Sequence, residues 1–283
     1  VAAGDAGGGE WRECVCDERV EDVVMTDWQV ITGDCLEVMP TLAAGSVDAI
    51  LTDLPYGTTA CSWDSVIPFA PMWAAIKHVL KPRGVFVTTA SQPFTSALVM
   101  SNVKWFQYQW HWKKERGTGF ILSDRRPLMI VEDVCVFSDG QPNYTPQRNK
   151  LDKPYRHVLP STKGRYEGAT KLNGSHVNGE RVYREYTHDT PSQLIEFSRD
   201  GIRQKDTHPT QKPVALYEYL IRTYTNEGEL VLDMCAGSGT TGVAAINTGR
   251  RVICIEQRED YADIARARIA KAAEQARQEP LPL

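Results

Sequence analysis

The 283-residue chain contains no uninterrupted apolar run of about 18 residues, the length that a membrane-spanning helix requires. Its first residues lack the basic-then-apolar order of a secretion signal, so we expect no export. Its seven cysteines are an odd number and include no CxxC pair, which argues against a disulfide framework and a structural zinc site. Cys14 and Cys16 are close enough to chelate a metal, but no partner pair accompanies them. These absences predict a reduced cytoplasmic protein without a metal.

Internal repeats are also absent, and the composition is that of a globular protein. Hydrophobic residues make up 42% of the chain and charged residues 24%, enough for a packed core. The length suits one large α/β domain or two modest domains.

Apolar runs alternate with segments of helical period along much of the chain. Strands are predicted at 28–32, 47–52, 85–89, 105–113, 131–138, 230–232 and 251–256, and helices at 34–42, 67–80, 94–101, 213–224, from 240 onward and at 261–277. The sequence Lys-Pro-Arg-Gly at 81–84 predicts a break between a helix and a strand. The alternation between residues 34 and 138 is typical of a parallel sheet.

The formal net charge of −4 argues weakly against a nucleic-acid partner, but the charge is unevenly distributed. Residues 1–37 contain ten acids and only two arginines, whereas residues 145–171 contain seven basic residues and two acids. A phosphate backbone responds to such local charge. Residues 139–206 also lack hydrophobic periodicity, which indicates a functional insert. The alternative for this segment is a solvated loop.

An apolar strand ends at a carboxylate in Asp53-Leu-Pro-Tyr56, where Pro55 and Gly57 stop the strand. Ligands of α/β sheets bind at such strand ends. The alternative is a turn in which Asp53 caps its own backbone.

A second strand, 230–232, leads into Asp233 and then Ala236-Gly-Ser-Gly239 before a helix that begins at Thr240. The next strand ends in Glu256, 17 residues beyond Gly239, an offset that suits hydrogen bonds to ribose hydroxyls. The pattern predicts an adenosine-type ligand without a pyrophosphate, and its alternative is a tight strand-to-helix turn.

These segments together resemble one family. Asp53-Leu-Pro-Tyr56 resembles the D-P-P-Y signature of DNA methyltransferases that modify exocyclic amino groups, although Leu54 replaces the first proline. Residues 233–241 resemble the family's D-P-F-x-G-S-G-T-T loop, with Met-Cys in place of Pro-Phe. Residues 208–213 resemble its H-x-T-Q-K-P segment, and residues 33–37 its G-D-C-L-E segment. Trp112-Lys113 and Gly117 are also similar to the family.

The order of these segments resembles the β class of this family. The resemblance implies an α/β, Rossmann-like, mostly parallel seven-stranded sheet in circularly permuted methyltransferase order, with a small target-recognition insert. It implies an acidic flexible leader at 1–27, a catalytic half at 28–138, the insert at 139–206 and a cofactor-binding half at 207–278.

The resemblance also implies the site residues and the cofactor, S-adenosyl-L-methionine. The expected catalytic residues are Asp53, Leu54, Pro55 and Tyr56. Asp34 would bond the cofactor adenine, Glu256 its ribose, and Lys212 with the 237–240 loop its methionine end; the full expected set is Asp34, Cys35, Asp53, Lys212, Asp233, Ala236, Gly237, Ser238, Gly239, Thr240 and Glu256. Two alternatives stay open, a helix cap for Asp34 and a solvated lysine for Lys212.

Double-stranded DNA is the implied partner, read mainly by the insert. The basic residues of the insert interleave with Tyr144, Tyr155 and Tyr166. The expected DNA-binding residues are Lys113, Arg125, Arg126, Arg148, Lys150, Lys153, Arg156, Lys163 and Arg165. Lys114 is a further candidate for a phosphate contact. An acid at position 53 favours adenine N6 over cytosine N4 by association within the family.

The alternatives are N4-cytosine methylation, a catalytically silent DNA-binding regulator, and methylation of RNA or protein. We expect a homodimer by resemblance, a bacterial or phage origin with association to the nucleoid, and either a separate restriction endonuclease or none.

Overall fold

The computed structural model describes residues 27–58, 64–158, 183–198 and 211–278. The strands are β1 (Trp28–Thr32), β2 (Val47–Asp53), β3 (Leu80–Ala90), β4 (Phe106–Thr118), β5 (Met129–Phe137), β6 (Lys150–Val158), β7 (Tyr183–His188), β8 (Leu194–Glu196), β9 (Leu230–Asp233) and β10 (Arg251–Glu256). The helices are α1 (Cys35–Val38), α2 (Phe69–Val79), α3 (Phe94–Ser101), α4 (Val214–Tyr224), α5 (Thr240–Asn247) and α6 (Glu259–Gln278), with 3-10 turns at Met39–Thr41 and Phe120–Leu122.

Eight strands form one sheet in the order β1-β10-β9-β2-β3-β5-β4-β8. Only β5 runs against its neighbours, so the predicted mostly parallel α/β sheet is confirmed. The prediction that the whole span 34–138 is parallel is wrong at β5, because β4 and β5 are joined directly as a hairpin and must run in opposite directions. The eighth strand, β8, is three residues long and comes from the segment expected to be the insert.

Both faces of the sheet are covered, which explains the nearly continuous apolar character of its central strands. Leu51 and Val87 face a cluster that contains Leu216 and Leu220 of α4 and buried side chains of α5 and α6. Ile50 and its neighbours on the other face pack against α1, α2 and α3. The sheet is therefore the middle layer of a doubly wound fold, whose parallel strands present their carboxyl ends along one edge.

Local boundaries differ from the predicted ones for local reasons. The helix predicted at 34–42 is one turn of α-helix followed by a 3-10 turn that contains Pro40. Helix α2 ends at Val79, and residues 81–84 form an irregularity within β3, between the pairs Val47–Leu80 and Ala49–Val85. Among the described residues, no helix has the length and apolar character needed to span a membrane.

Within residues 139–206, the predicted insert, β6 and β7 form a separate two-stranded sheet. Tyr155 stacks on Tyr186 across these strands, with ring centroids 5.2 Å apart. The leader at 1–26, Lys163, Arg165, Tyr166 and His208 lie outside the described residues.

Candidate active site at the carboxyl edge of the sheet

Four carboxylates follow the ends of four adjacent parallel strands. Asp34 follows β1, Glu256 ends β10, Asp233 ends β9 and Asp53 ends β2. Neighbouring strands lie about 4.8 Å apart, so two strand spacings, roughly 10 Å, separate the ends of β2 and β10. Segments distant in sequence thus place the predicted catalytic aspartate beside the predicted cofactor loop.

Three side chains of the described residues donate hydrogen bonds to Asp53, one from the same loop and two from distant segments. The hydroxyl groups of Tyr56 and Thr89 both donate hydrogen bonds to Asp53 Oδ1, the first at 2.8 Å. Lys212 Nζ donates to Asp53 Oδ2 at 2.7 Å. A carboxylate offers about four lone-pair positions, so one further donor fits at Oδ2.

Lys212 belongs to a row of alternating charges whose other members lie on β2, β5 and β4. Its Nζ lies 3.5 Å from Glu132 Oε2, and Glu132 Oε1 accepts a hydrogen bond of 3.1 Å from Lys114. Lys114 is only 2% exposed and Glu132 only 11%. Burial by itself lowers the pKa of Lys212, but the charges of Asp53 and Glu132 more than compensate, so its pKa is raised. Lys212 is therefore a buried, paired cation and not the solvated lysine of the alternative interpretation.

Tyr56 stands beside Asp53 with its ring half-buried. The ring stacks on Phe94 at a centroid distance of 5.4 Å, and Lys212 Nζ lies 5.4 Å from its centroid. Burial, with the nearby charge of Asp53, raises the pKa of Tyr56 well above its ordinary value, so its hydroxyl stays a donor.

Between Asp53 and Tyr56, the Leu54 side chain is buried in the core and Pro55 is half-buried. Among the described residues, none donates a backbone hydrogen bond to the Leu54 carbonyl. Asp64 fixes the following turn by accepting from the backbone N–H groups of Gly57 and Thr58. The peptide after Asp53 is thus anchored on both sides while its carbonyl keeps acceptor capacity.

Asp233 is buried between the two halves of the site. It accepts hydrogen bonds from the Thr52 hydroxyl at 2.7 Å and from the Cys235 N–H at 3.1 Å. Burial raises the pKa of Asp233 to about 6 despite these donors. Its contacts tie β9 to β2, so Asp233 joins the glycine loop to the strand that ends in Asp53. Its predicted contact with the cofactor stays a prediction.

Glu256 and Asp34 are held mainly by backbone N–H groups. Glu256 accepts from Gly237 N at 2.7 Å and from Arg258 N at 3.0 Å, which leaves two of about four lone-pair positions. Asp34 Oδ1 caps helix α1 by accepting from Leu36 N at 2.8 Å. The cap interpretation of Asp34 is confirmed, and its second oxygen is compatible with a ligand contact.

The glycine loop is shaped by packing as well as by backbone freedom. Gly239 has φ +78°, and a Cβ there would lie 2.8 Å from the Cβ of Ala265 in α6. At Gly242 a Cβ would lie 2.3 Å from Ile269 Cδ1. Both glycines therefore allow α5 to approach α6, a role that the ligand-based interpretation missed. Ser238 accepts from Arg268 at its carbonyl and its hydroxyl.

The remaining predicted cofactor residues also lie at this edge. Ala236 is buried and donates its N–H to the Ile255 carbonyl, and Thr240 begins α5. Cys35, at the start of α1, contacts Cys235 of the glycine loop, and this hydrogen bond lowers the pKa of Cys35. The ends of β1, β9 and β10 thus form one continuous surface.

The predicted DNA-binding residues fall into two groups. Arg125, Arg126, Arg148, Lys150, Lys153 and Arg156 are exposed. Lys113 instead pairs with Glu196 at 2.8 Å in an exposed ion pair. The further candidate Lys114 is buried against Glu132, so the prediction of a phosphate contact for Lys114 is wrong.

Several side chains at the site were not predicted from sequence. Thr89 donates to Asp53, Glu132 pairs with Lys212, and Phe94 stacks on Tyr56. The one sequence signal of a function for Glu132 was its charge within the largely apolar strand 131–138. Thr89 and Phe94 had none, because threonine in a strand and phenylalanine in a helix are ordinary core residues.

Comparison with known proteins accounts for this arrangement. A family of DNA methylases, named for N6 and N4 methyl transfer, matches residues 47–267. The methylase YubD of Escherichia coli (strain K12) is 46% identical over 248 residues, covering 85% of this chain and 89% of that protein. DNA adenine methyltransferase YhdJ of the same organism is 26% identical over 274 residues, covering 86% and 83%.

A solved structure agrees in fold. The PvuII DNA methyltransferase, described as cytosine-N4-specific, matches with a TM-score of 0.62 at 17% identity, covering 88% of this chain and 92% of that chain. The row of strand-end carboxylates, the two matching loops and the family match over residues 47–267 lead to one conclusion: the chain belongs to the β-class N6/N4 amino DNA methylase family.

Proposed function

We propose that this protein transfers a methyl group from S-adenosylmethionine to the N6 amino group of an adenine that is flipped out of duplex DNA. The observation that carries the proposal is the placement of Asp53, with a free acceptor position, two strands away from Glu256 and the glycine loop.

The residues at the edge fit the cofactor. Glu256 retains two acceptor positions for ribose hydroxyls, and Asp34 retains an oxygen for an adenine amino group. Gly237 and Gly239 both have positive φ, which turns the loop between β9 and α5 across the end of the sheet. When bound, the cofactor supplies an electrophilic methyl group on sulfonium sulfur.

The chain's own contribution is to make a poor nucleophile reactive. The lone pair of an exocyclic amino group is delocalised into the base ring. Two acceptors aimed at its N–H bonds, Asp53 Oδ2 and the Leu54 carbonyl, favour a pyramidal nitrogen with a localised lone pair. Tyr56 and Thr89 hold Asp53 in place before the base arrives, so the acceptors stabilise the developing charge with little reorganisation beyond the rotation of Lys212. Asp53 then accepts the proton, directly or through water.

Tyr56 supplies a surface for the extruded base. The target nitrogen is inaccessible inside a duplex, so the base must leave the stack. Stacking on an aromatic ring contributes roughly 1–3 kcal/mol per base. The hydroxyl of Tyr56 is held by Asp53 and its ring by Phe94, so the surface is positioned before the base enters.

Lys212 Nζ donates a hydrogen bond to Asp53, whereas the family resemblance implies that Lys212 binds the methionine carboxylate of the cofactor. We propose that it serves both groups in turn. When the target amine is bound by Asp53, Lys212 would instead hold the methionine carboxylate of the bound cofactor, and Glu132 would remain its counter-ion. This change of partner by Lys212 would couple cofactor binding to the release of an acceptor position on Asp53.

The preference for adenine rests on the acid at position 53, and the relative YhdJ acts on adenine by its name. N4-cytosine methylation is the second candidate, because the fold also matches the cytosine-specific PvuII enzyme. Mass spectrometry of hydrolysed DNA after incubation with protein and cofactor distinguishes the two. We expect N6-methyladenine, and 4-methylcytosine as the product would overturn the adenine assignment.

We assign recognition of the DNA sequence to residues 139–206. The exposed basic side chains of this segment include Arg148, Lys150, Lys153 and Arg156. We further propose a homodimer in the bacterial or phage nucleoid, whether or not a separate endonuclease accompanies it. Modification-sensitive sequencing of genomic DNA after expression of the gene identifies the recognised site. Loss of the modification in an Asp53→Ala strain ties it to this protein.

A further inference from the structure

The hairpin between β4 and β5 carries an exposed apolar surface. Seven of the thirteen exposed large apolar side chains of the described residues lie within residues 120–131. Phe120 and Ile121, in the 3-10 turn at the tip, are 78% and 97% exposed. Single exposed apolar residues are common, but a contiguous group usually marks an interaction site. We call residues 113–131 the β4–β5 arm.

The arm projects from the edge of the sheet that contains the active site. Asp53 pairs with Thr89, which pairs with Val134 of β5, and Val134 pairs with Trp110 of β4. Strand β4 continues past this level to Thr118. Beyond the pair Lys113–Val131 the register is irregular, because five residues of β4 oppose two of β5 up to the pair Thr118–Met129. At about 3.3 Å per residue, β5 extends the arm by roughly 7 Å to that pair, and the turn at the tip lies beyond it. A duplex that presents a base to Asp53 must therefore pass beside the arm.

The charge on the arm suits a phosphate backbone. Arg116, Arg125 and Arg126 are all exposed and flank the apolar tip. Against them stand Glu115 and Asp124, so residues 115–131 have three basic and two acidic side chains, a local net charge of +1. The whole chain has a net charge of −4. An apolar tip between arginines matches the chemistry of a nucleic acid, with stacked bases inside and phosphates outside.

We propose that the tip of the β4–β5 arm is a wedge that enters the DNA duplex next to the target base pair. Phe120 and Ile121 insert between base steps, and Arg116, Arg125 and Arg126 contact the adjacent phosphates. Proteins insert apolar wedges of this kind to unstack and bend a duplex. The inference rests on the proposed function and adds to it a device that helps the target base leave the stack.

The wedge makes a specific kinetic prediction. Extrusion costs a few kcal/mol for a paired base and least for a mismatched one, so a wedge matters on a matched duplex and little on a mismatched one. Because Phe120 and Ile121 are exposed, their replacement by alanine leaves the folded core unchanged. Met100, 73% exposed at the far end of α3, provides a matched control.

The test compares the double variant Phe120→Ala/Ile121→Ala with Met100→Ala and the unmodified protein. The substrates are two synthetic duplexes that contain the mapped site, one matched and one mismatched at the target base. We expect the double variant to lose roughly tenfold or more in kcat/KM on the matched duplex and less than about twofold on the mismatched duplex. Cofactor affinity, measured by calorimetry, and the activity of Met100→Ala should not change.

Each other outcome overturns the wedge. The wedge is ruled out if the double variant is as active as the unmodified protein, or if it loses the same activity on both duplexes. If sedimentation shows that the double variant loses a dimer that the unmodified protein forms, the patch belongs to a second copy of the chain. If the unmodified protein transfers no methyl group to any DNA, the proposed function fails first, which distinguishes that failure from failure of the wedge.

Discussion

The two halves of the catalytic edge hold their carboxylates in different ways. Asp53 is held by the side chains of Tyr56, Thr89 and Lys212, which come from three separate segments. Glu256 is held by backbone N–H groups of adjoining loops. A side chain can change partners by rotation, whereas a backbone N–H cannot move without its loop. We infer that the Asp53 half can exchange hydrogen-bond partners, whereas the Glu256 half is suited to fixed binding.

The largest expected effect tests this division of roles directly. Asp53→Ala should lower kcat by at least about 10³-fold, because it removes the acceptor and the base. The cofactor Kd should not rise, because Lys212 no longer has to leave Asp53 to reach the cofactor carboxylate. Glu256→Gln should do the reverse and raise the cofactor Kd by about tenfold with a smaller change in kcat. Single-turnover rates and calorimetry measure both. Unimpaired transfer by Asp53→Ala removes its assigned role.

The second effect concerns the charge row behind Asp53. Glu132→Gln leaves the buried Lys114 without a counter-ion, and we expect a loss of about 3–5 kcal/mol in the free energy of unfolding. The matched control is Glu196→Gln, whose pair with Lys113 is exposed, with an expected loss below about 1 kcal/mol. Urea unfolding gives both values. Similar losses in the two variants would show that the buried row contributes no more than a surface pair.

The third effect separates Asp233 from the other acids by its pH dependence. The folded protein raises the pKa of Asp233 from 3.8 to about 6, so its contribution to stability is full below pH 3.8 and is lost as the pH rises to about 6. Asp233→Asn should therefore gain stability relative to the unmodified protein over this window, by up to about 3 kcal/mol. The control is Asp263→Asn on the exposed face of α6. A pH-independent difference would contradict the shift.

The smallest effect concerns how rigidly the cofactor half is packed. Gly239→Ala adds a clash with Ala265 to the strain of a positive φ, whereas Gly228→Ala has a similar φ of +77° and nothing within 4 Å. We expect Gly239→Ala to cost about 2 kcal/mol more than Gly228→Ala in thermal or urea unfolding. Equal costs would mean that backbone strain alone requires the glycine.

Much of the fold could be predicted from the chain. Strands 28–32 and 251–256 and the helix 94–101 have the predicted bounds, because apolar period and turn residues act locally. The direction of β5 was missed because periodicity carries no information about strand orientation. The strand β8 was missed because three residues give too short a pattern.

At the site, the loop residues were predictable and their supports were not. Asp53 and Glu256 stand at strand ends next to turn residues, a signal that a sequence contains. Thr89 lies inside a strand, where a threonine has no local mark of function, and Glu132 is marked only as a charge within an apolar strand.

The types of element, the turns after β2 and β9 and the order of segments that defines the family follow from local sequence patterns. Which side chains meet depends on the tertiary fold, because Lys212 and Asp53 are 159 positions apart and Thr89 and Asp53 are 36 apart. Strand order and register bring such groups within hydrogen-bonding distance. The burial of Lys114 against Glu132 likewise makes it a structural cation and not a contact for DNA.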